Sequence, residues 1–330
     1  MRFVSGLQPT GTLHLGNYLG AVRQWVTLQD EGECVFILAD LHAITVDADP
    51  ARLVASVREM TAALLAAGID PARSILFNHS RVPAHPELAW ILSCTARMGW
   101  LNRMSQFKEI SGKNREGASV GLYAYPMLQA ADILLYRATH VPVGRDQKQH
   151  VELGRDVAAK FNADFGVQLF TLPEALVAEE TGQIMSLRNG NARMSKSDPS
   201  DMSRINLTDD DDLIVQKIRK AKTDAEPLPD NVDALTNRPE ALNLVRLHAA
   251  LSGRASDQVL EEFAGQGFGT FKPVLAELMV EALRPIRQRI EQLREEPAHL
   301  DSILAQGAER AAAEAGPMLE GAYEAVGLGR

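Results

Sequence analysis

The sequence predicts an α/β protein, with a parallel sheet covered by helices over residues 1–200 and an all-helical unit over 201–330. Three observations carry this expectation. Short apolar runs alternate with amphipathic segments through residues 1–170, the pattern of strands joined by helical crossovers. Near Gly182 the texture changes to polar loop, and from Thr208 onward helical periodicity dominates. The opening stretch Val4–Tyr18 reads as a strand, a loop with three glycines and a helix start.

Phe3 and Val4 begin the first strand, and a helix is expected over Asn17–Leu28. Unpaired N–H groups at such a helix start, with the positive end of its dipole, suit an anion. His14 sits where the loop meets the helix, and Gly11 and Gly16 leave room for a phosphate near the backbone. The stretch lacks the Gly-Lys-Ser/Thr of a Walker loop and the Gly-x-Gly-x-x-Gly of dinucleotide folds. Taken alone, an ordinary turn with one surface histidine is the alternative.

The run Cys34–Ala39 is short enough for a buried strand, and Asp40, Leu41 and His42 follow at its carboxyl end, where open sheets bind ligands. Asp49-Pro50 starts a helix over 52–67, with Leu53, Val57, Met60 and Leu64 on one face. A strand over Ser74–Phe77, a helix over Glu87–Met98 and a nearly apolar helix over Met127–Tyr136 come next. His140–Gly144 reads as strand into turn, and Asp146–Phe161 as helix. Thr208 is placed to cap a helix whose first turn holds Asp209–Asp212; a solvated first turn is favoured there over a metal site. Helices over Glu240–Leu251, Ser256–Phe263 and Phe271–Glu295 complete the reading, with a kink expected at Pro285 and a linker over Pro227–Pro239.

With 45% hydrophobic and 23% charged residues, the composition is that of an ordinary globular protein. No apolar run reaches membrane-spanning length and no secretory leader is read at the N-terminus, so no membrane association is expected. Cys34 and Cys94 lack metal-ligand spacing and fit a reducing compartment. A net charge of −9 argues against a protein that coats duplex nucleic acid, while leaving room for a local basic patch.

A second motif, Ala192-Arg193-Met194-Ser195-Lys196-Ser197, combines cations, hydroxyls and loop amides that suit a polyphosphate. Pro9–Asn17 resembles the "HIGH" region of class I aminoacyl-tRNA synthetases, and Arg193–Ser197 resembles their "KMSKS" loop, in the same order. Within the class, Phe3–Pro9, Asp40–Thr45, Ala130–Tyr136 and Val141–His150 are similar to the tryptophan-specific bacterial members. The likeness continues through Leu283–Ile286 to the final Gly327–Arg330, and so covers essentially the whole chain.

The resemblance implies a Rossmann-like catalytic domain over 1–200 and a helical domain over 201–330 that binds the tRNA anticodon, its last helices packing back on the first. It implies activation of L-tryptophan by ATP, which carries Mg2+, followed by transfer to tRNA(Trp). A cytoplasmic homodimer is implied, with an apolar patch on the helices after Pro86 as a candidate seam and no protein-bound metal. A ligase for another aromatic amino acid, a nucleotidyltransferase, or a catalytically weakened tRNA-binding or regulatory protein are the alternatives.

By the same resemblance, Gln8, Pro9, Thr10, Gly16 and Asn17 line the ATP site and His14 donates to phosphate oxygens. Gly144, Arg145 and Asp146 meet the nucleoside, and Ile184 contacts adenine. Arg193, Met194, Ser195, Lys196 and Ser197 close on the leaving pyrophosphate. Asp132, a carboxylate on an apolar helix, is expected to accept from the indole N–H, because burial without a partner is costly. Tyr125, Gln129, Gln147, His42 and Phe3 are the expected pocket walls, with loop orientation as an equal alternative for His42. Arg284, Arg287, Arg289 and Arg294 read as a solvated helix face, with tRNA-backbone contact as the alternative. Three positions depart from the family: Gln129 where methionine is expected, Arg145 where glutamate is expected, and Ile110 in place of a lysine, with Lys113 as a candidate substitute.

Overall fold

The computed structural model describes residues 1–45, 49–104, 117–177 and 184–329. Ile110 and Lys113 lie outside the described residues, as does the side chain of Asp146. Five parallel strands form the sheet: β1 (Arg2–Leu7), β2 (Glu33–Leu38), β3 (Ile75–Asn78), β4 (His140–Val143) and β5 (Glu174–Val177). Their spatial order is β3-β2-β1-β4-β5. The chain therefore winds outward from β1 in one direction and later from β4 in the other. This leaves a topological switch between β1 and β4, the place where open α/β sheets bind ligands.

Strand alternation sends neighbouring side chains to opposite faces. Phe3 and Phe36 join a core with Trp25 and the later helices, whereas Val4, Val35 and Phe77 join a second core on the other face. Both faces are buried, which is why β2 reads as a continuous apolar run.

The helix after β1 starts earlier than its sequence suggests. It comprises Leu15–Asn17, a wider π-type turn over Tyr18–Val22, and Arg23–Leu28; together these are α1. There follow α2 (Asp40–Ala43), α3 (Pro50–Ala66), α4 (Ala84–Thr95), α5 (Met98–Leu101), α6 (Val120–Leu134) and α7 (Lys148–Phe165). α4 begins three residues before the expected start and α6 seven, α6 being capped by Ser119, whose hydroxyl accepts from Leu122 N–H (3.1 Å).

Beyond Gly182 the helices are α8 (Asp211–Lys220), α9 (Pro239–Ser252), α10 (Ser256–Phe263), α11 (Phe268–Arg294) and α12 (Pro297–Ala325). Asp210, not Thr208, caps α8. Asp209 is not a solvated first-turn residue but a buried one. It accepts from Asn206 N–H (2.9 Å) and from Lys217 Nζ (2.6 Å), and Lys217 is itself fully buried and also paired with Asp201 (2.6 Å). Three of the four arginines singled out on α11 make ion pairs, while Arg289 stays on the exposed face. Arg284 and Arg287 pair with Asp211, Arg287 also donates to the Asp209 carbonyl, and Arg294 reaches Glu59 on α3. α11 is one helix through Pro273 and Pro285. The stretch 227–239 is packed rather than a free linker, with Leu228 and Leu235 buried and Leu228 exchanging backbone hydrogen bonds with residues 265–266.

Four elements go beyond the sequence reading: the short helices α2 and α5, the strand β5 and the long helix α12. α12 lies along β3 and α4, with Ala308, Ala311, Ala315 and Met318 in the core shared with Phe77. A Cβ at Gly307 would stand 1.9 Å from the Leu76 carbonyl oxygen, so only glycine allows this helix so close to the strand.

Candidate active site

A cavity of about 400 Å³ opens at the switch between β1 and β4, a size usual for small-molecule sites. Ser5, Gly6 and Gln8 form one wall, and Val143, Gly144 and Gln147 form another. α6 supplies Tyr125, Gln129 and Asp132, and α2 supplies His42. Tyr125 meets the His42 ring edge-on at 6.0 Å, and its hydroxyl contacts His150 Nε2 at 2.6 Å. Phe3 is not a wall. It is 1% exposed and points into the core on the opposite face from Val4, which lines the cavity instead. The one-residue error follows from strand alternation.

Asp132 is 7% exposed and held by three histidines. His42 Nε2 donates to one carboxylate oxygen (2.9 Å), while His85 Nδ1 (2.5 Å) and His79 Nδ1 (3.4 Å) share the other. The histidines come from α2, from the turn after β3 and from the first turn of α4, so the carboxyl ends of β2 and β3 build this cage. Tyr136 completes it at 2.7 Å from His85 Nε2. Burial opposes charge on Asp132, but its electrostatic interaction with His79 and the hydrogen bonds from all three rings outweigh it and hold the carboxyl well below its usual range. Burial lowers His85, leaving it neutral, and raises Tyr136. His42, His79 and Asp132 offer atoms close enough to surround a cation. However, Leu41 N–H donates to His79 Nε2 (2.6 Å), which leaves Nδ1 as the protonated nitrogen of a neutral ring. His79 is thus a donor toward Asp132, and the cluster acts as a hydrogen-bond cage. A carboxylate has about four acceptor positions and three are taken, so one remains for a ligand donor. His79, His85 and Tyr136 escaped sequence reasoning, since isolated histidines beside apolar runs carry no spacing signal.

The two signature loops meet beside this cavity without lining it. His14 caps α1: its Nδ1 accepts from Asn17 N–H (3.2 Å), and Asn17 Oδ1 accepts from His14 N–H (3.3 Å). Leu15 N–H donates to Ile205 O and Leu207 N–H to Leu13 O, so the loop is zipped to the segment held by Asp209 and Lys217. The helix start therefore spends its Leu15 and Asn17 N–H groups inside the protein, contrary to the open anion site its sequence suggests. Burial, then the charges of Lys196 and Arg204, lowers His14 to about 4. With Nδ1 accepting, its neutral ring carries the proton on Nε2 and can donate there.

Lys196 Nζ donates to the Gly11 carbonyl (3.1 Å), at a residue in the left-handed region with φ 77°. Burial lowers Lys196 to about 8 against the pull of Glu59. Met194 is buried, and its N–H donates to the carbonyl of Ile184, another core residue. A Cβ on Gly16 would meet the His14 ring at 3.1 Å and Met194 Cβ at 3.4 Å, so the space above Gly16 is occupied by the second loop. Ser195 and Ser197 pair through their hydroxyls (2.9 Å). Arg193 and Thr10 are exposed and Pro9 is buried. Of the departures, Gln129 lines the cavity and Arg145 is exposed in the short turn after Gly144. Gln8 in the cavity and Gly11 under Lys196 belong to one loop, which joins the two halves of the site.

Residues 1–284 match the family of tRNA synthetases class I (W and Y). The chain belongs to this family. Curated relatives include the tryptophan–tRNA ligases of Caulobacter vibrioides, 56% identical over 99% of this chain and 95% of that one, and of Brucella melitensis, 54% identical over 98% and 96%. Among solved structures, the tryptophanyl-tRNA synthetase of Mycoplasma pneumoniae superposes with a TM-score of 0.89 at 33% identity, covering 99% of this chain and 98% of that one. The Campylobacter jejuni enzyme, complexed with ADP and tryptophan, gives 0.83 at 36% identity, covering 99% of this chain and all of that one. Family membership agrees with the parallel sheet, its switch-point cavity and the pairing of the two loops.

Proposed function

We propose that this chain is a tryptophan–tRNA ligase. The observation that carries the proposal is Asp132: an ionised carboxylate on a mostly apolar helix that lines the cavity, with one acceptor position left. An indole N–H is a donor without acceptor capacity and suits it, whereas phenylalanine leaves the position unfilled. The tryptophan carboxylate attacks the α-phosphorus of ATP, which enters with Mg2+ as part of the substrate. The bond to pyrophosphate breaks, and a terminal hydroxyl of tRNA(Trp) then attacks the acyl carbon and releases AMP. Such chemistry requires placement and charge neutralisation rather than a covalent nucleophile.

In this reading Gln8, Gly144 and Gln147 frame the junction of amino acid and nucleoside, with Arg145, Asp146 and Ile184 beside the nucleoside. Neutral His14 donates through Nε2 to phosphate, and Asn17 first holds that ring in place. Lys196 leaves Gly11 for the leaving pyrophosphate, while Arg193, Ser195 and Ser197 supply further donors. Residues 1–200 form the catalytic domain, completed by α12, and the remaining helices approach the anticodon. Exposed Trp90 and Met98 on α4 and α5 support a homodimer seam in the cytoplasmic protein.

Amino-acid-dependent exchange of pyrophosphate into ATP tests the reading. Exchange with tryptophan but not tyrosine or phenylalanine is the expected result; preference for another amino acid, or tRNA binding without exchange, overturns it. Lys196→Ala is expected to lower exchange on the order of 100-fold with tryptophan binding little changed. Unchanged exchange refutes the role of the loop.

A further inference from the structure

We propose that His85 and Tyr136 are positioning residues that set the amino-acid specificity of the site, by fixing the one free acceptor position of Asp132. The inference rests on the reading that Asp132 meets the indole N–H.

Neither residue lines the cavity, and both are fully buried. Their chain of contacts runs outward from the carboxylate: Asp132 Oδ1, His85 Nδ1 at 2.5 Å, His85 Nε2, Tyr136 hydroxyl at 2.7 Å. His85 is the shortest contact Asp132 makes, and burial keeps its ring neutral. A neutral imidazole has one donor and one acceptor nitrogen, and a phenol held in its protonated form can give its proton only to the acceptor. Tyr136 O–H therefore donates to Nε2, and the N–H of His85 must face Asp132. The ring is wedged between Phe77, at 5.7 Å, and His79, at 5.4 Å. Together these contacts remove both the rotation and the tautomeric freedom of the ring.

A carboxylate can turn about its own bond and offer any of its acceptor positions to a ligand. With His85 and His79 on one oxygen and His42 on the other, that torsion is fixed, and with it the direction in which this cavity-lining carboxylate offers its unused position. Loss of His85 leaves Asp132 ionised beside His42 with only the longer His79 contact on its other oxygen, and so more loosely oriented. The ligand donor then meets an acceptor that is present and misdirected. Discrimination should fall more than catalysis, because nothing in this chain of contacts touches ATP or the signature loops.

The test compares pyrophosphate exchange for tryptophan with that for its benzothiophene analogue, in which sulfur replaces the indole N–H. The ratio of the two kcat/KM values isolates the N–H contact from general damage. In the wild type tryptophan should be strongly preferred, and Asp132→Asn should erase most of that preference. His85→Leu is expected to cut the ratio about tenfold or more, since a hydrogen bond to a charged group is at stake, with KM for ATP within about twofold of wild type. His85→Asn places an amide N–H near the position of Nδ1 and should restore most of the ratio. Tyr136→Phe keeps the ring volume, frees the tautomer, and should lower the ratio about threefold; it decides the matter if His85→Leu does not fold. If Asp132→Asn leaves the ratio unchanged, the underlying reading fails and the proposal falls with it. If Asp132→Asn erases the preference, yet the His85 and Tyr136 variants keep the wild-type ratio or slow both amino acids equally, the proposal alone is overturned.

Discussion

Lys217→Met removes a fully buried ammonium from between two carboxylates, Asp209 and Asp201, each 2.6 Å away. Asp201 is half exposed and can rehydrate, but the side chain of Asp209 is 5% exposed and cannot. Breaking a buried pair from one side typically costs ~3–5 kcal/mol. Asp209 retains hydrogen bonds from the Asn206 backbone and side chain, at 2.9 and 3.1 Å, which places the expected cost at the lower end, about 3 kcal/mol. With a urea slope of about 3 kcal/mol per molar, the unfolding midpoint should fall by about 1 M. The double variant Lys217→Met/Asp209→Asn removes the stranded charge, keeps an acceptor for Asn206, and should regain about half of the loss. Because Ile205 and Leu207 hydrogen-bond the loop around His14, KM for ATP should rise in the single variant as well. A midpoint shift below about 0.3 M would refute the buried-pair argument. A double variant as unstable as the single would assign the cost to lost packing instead of unpaired charge.

Two further expectations follow from the same geometry. Lys196 stands at about 8, below its ordinary 10.5, so it is charged at neutral pH and loses its proton as pH rises through 8. KM for ATP in the exchange assay should climb above pH 8 and stay flatter in Lys196→Arg; parallel profiles would show that another group controls the limb. Gly307→Ala drives a methyl into the Leu76 carbonyl, so α12 must lift from β3, at a cost of about 2–3 kcal/mol seen as a lower urea midpoint and unchanged by tryptophan or ATP binding steps.

Strands β1 to β4 were legible because each is a short apolar run closed by a glycine, proline or polar cluster. β5 was not: Glu174–Val177 has four residues, directly after Pro173, and none of its side chains is deeply buried. α12 was hidden by Gly307, Gly316, Pro317 and Gly321, which break the apolar rhythm of a helix whose core contacts are mostly alanines. At the site, the loops around His14 and Lys196 and the acid on α6 could be named from sequence, because those residues are unusual in their local setting. What surrounds them could not. His79 and His85 lie 53 and 47 residues from Asp132 along the chain, and only the winding of β2 and β3 brings them together. Asp209 fits the pattern of a solvated acid because its partner, Lys217, sits two turns further along and looks equally solvated until α11 covers them both.

The seat of α12 against β3 bears on the order in which the molecule is made. Translation delivers the five strands and both signature loops first, and N-terminal segments generally begin to fold as they leave the ribosome. The outer face of β3 is closed only by residues 304–322, nearly the last to emerge. A nascent chain carrying all five strands and both signature loops thus still exposes the apolar flank of Phe77 and α4, the helix from which His85 packs on Phe77 and reaches Asp132. Closure of this flank is consequently delayed until the polypeptide is almost finished, and a prematurely released fragment would present a sticky sheet edge to chaperones.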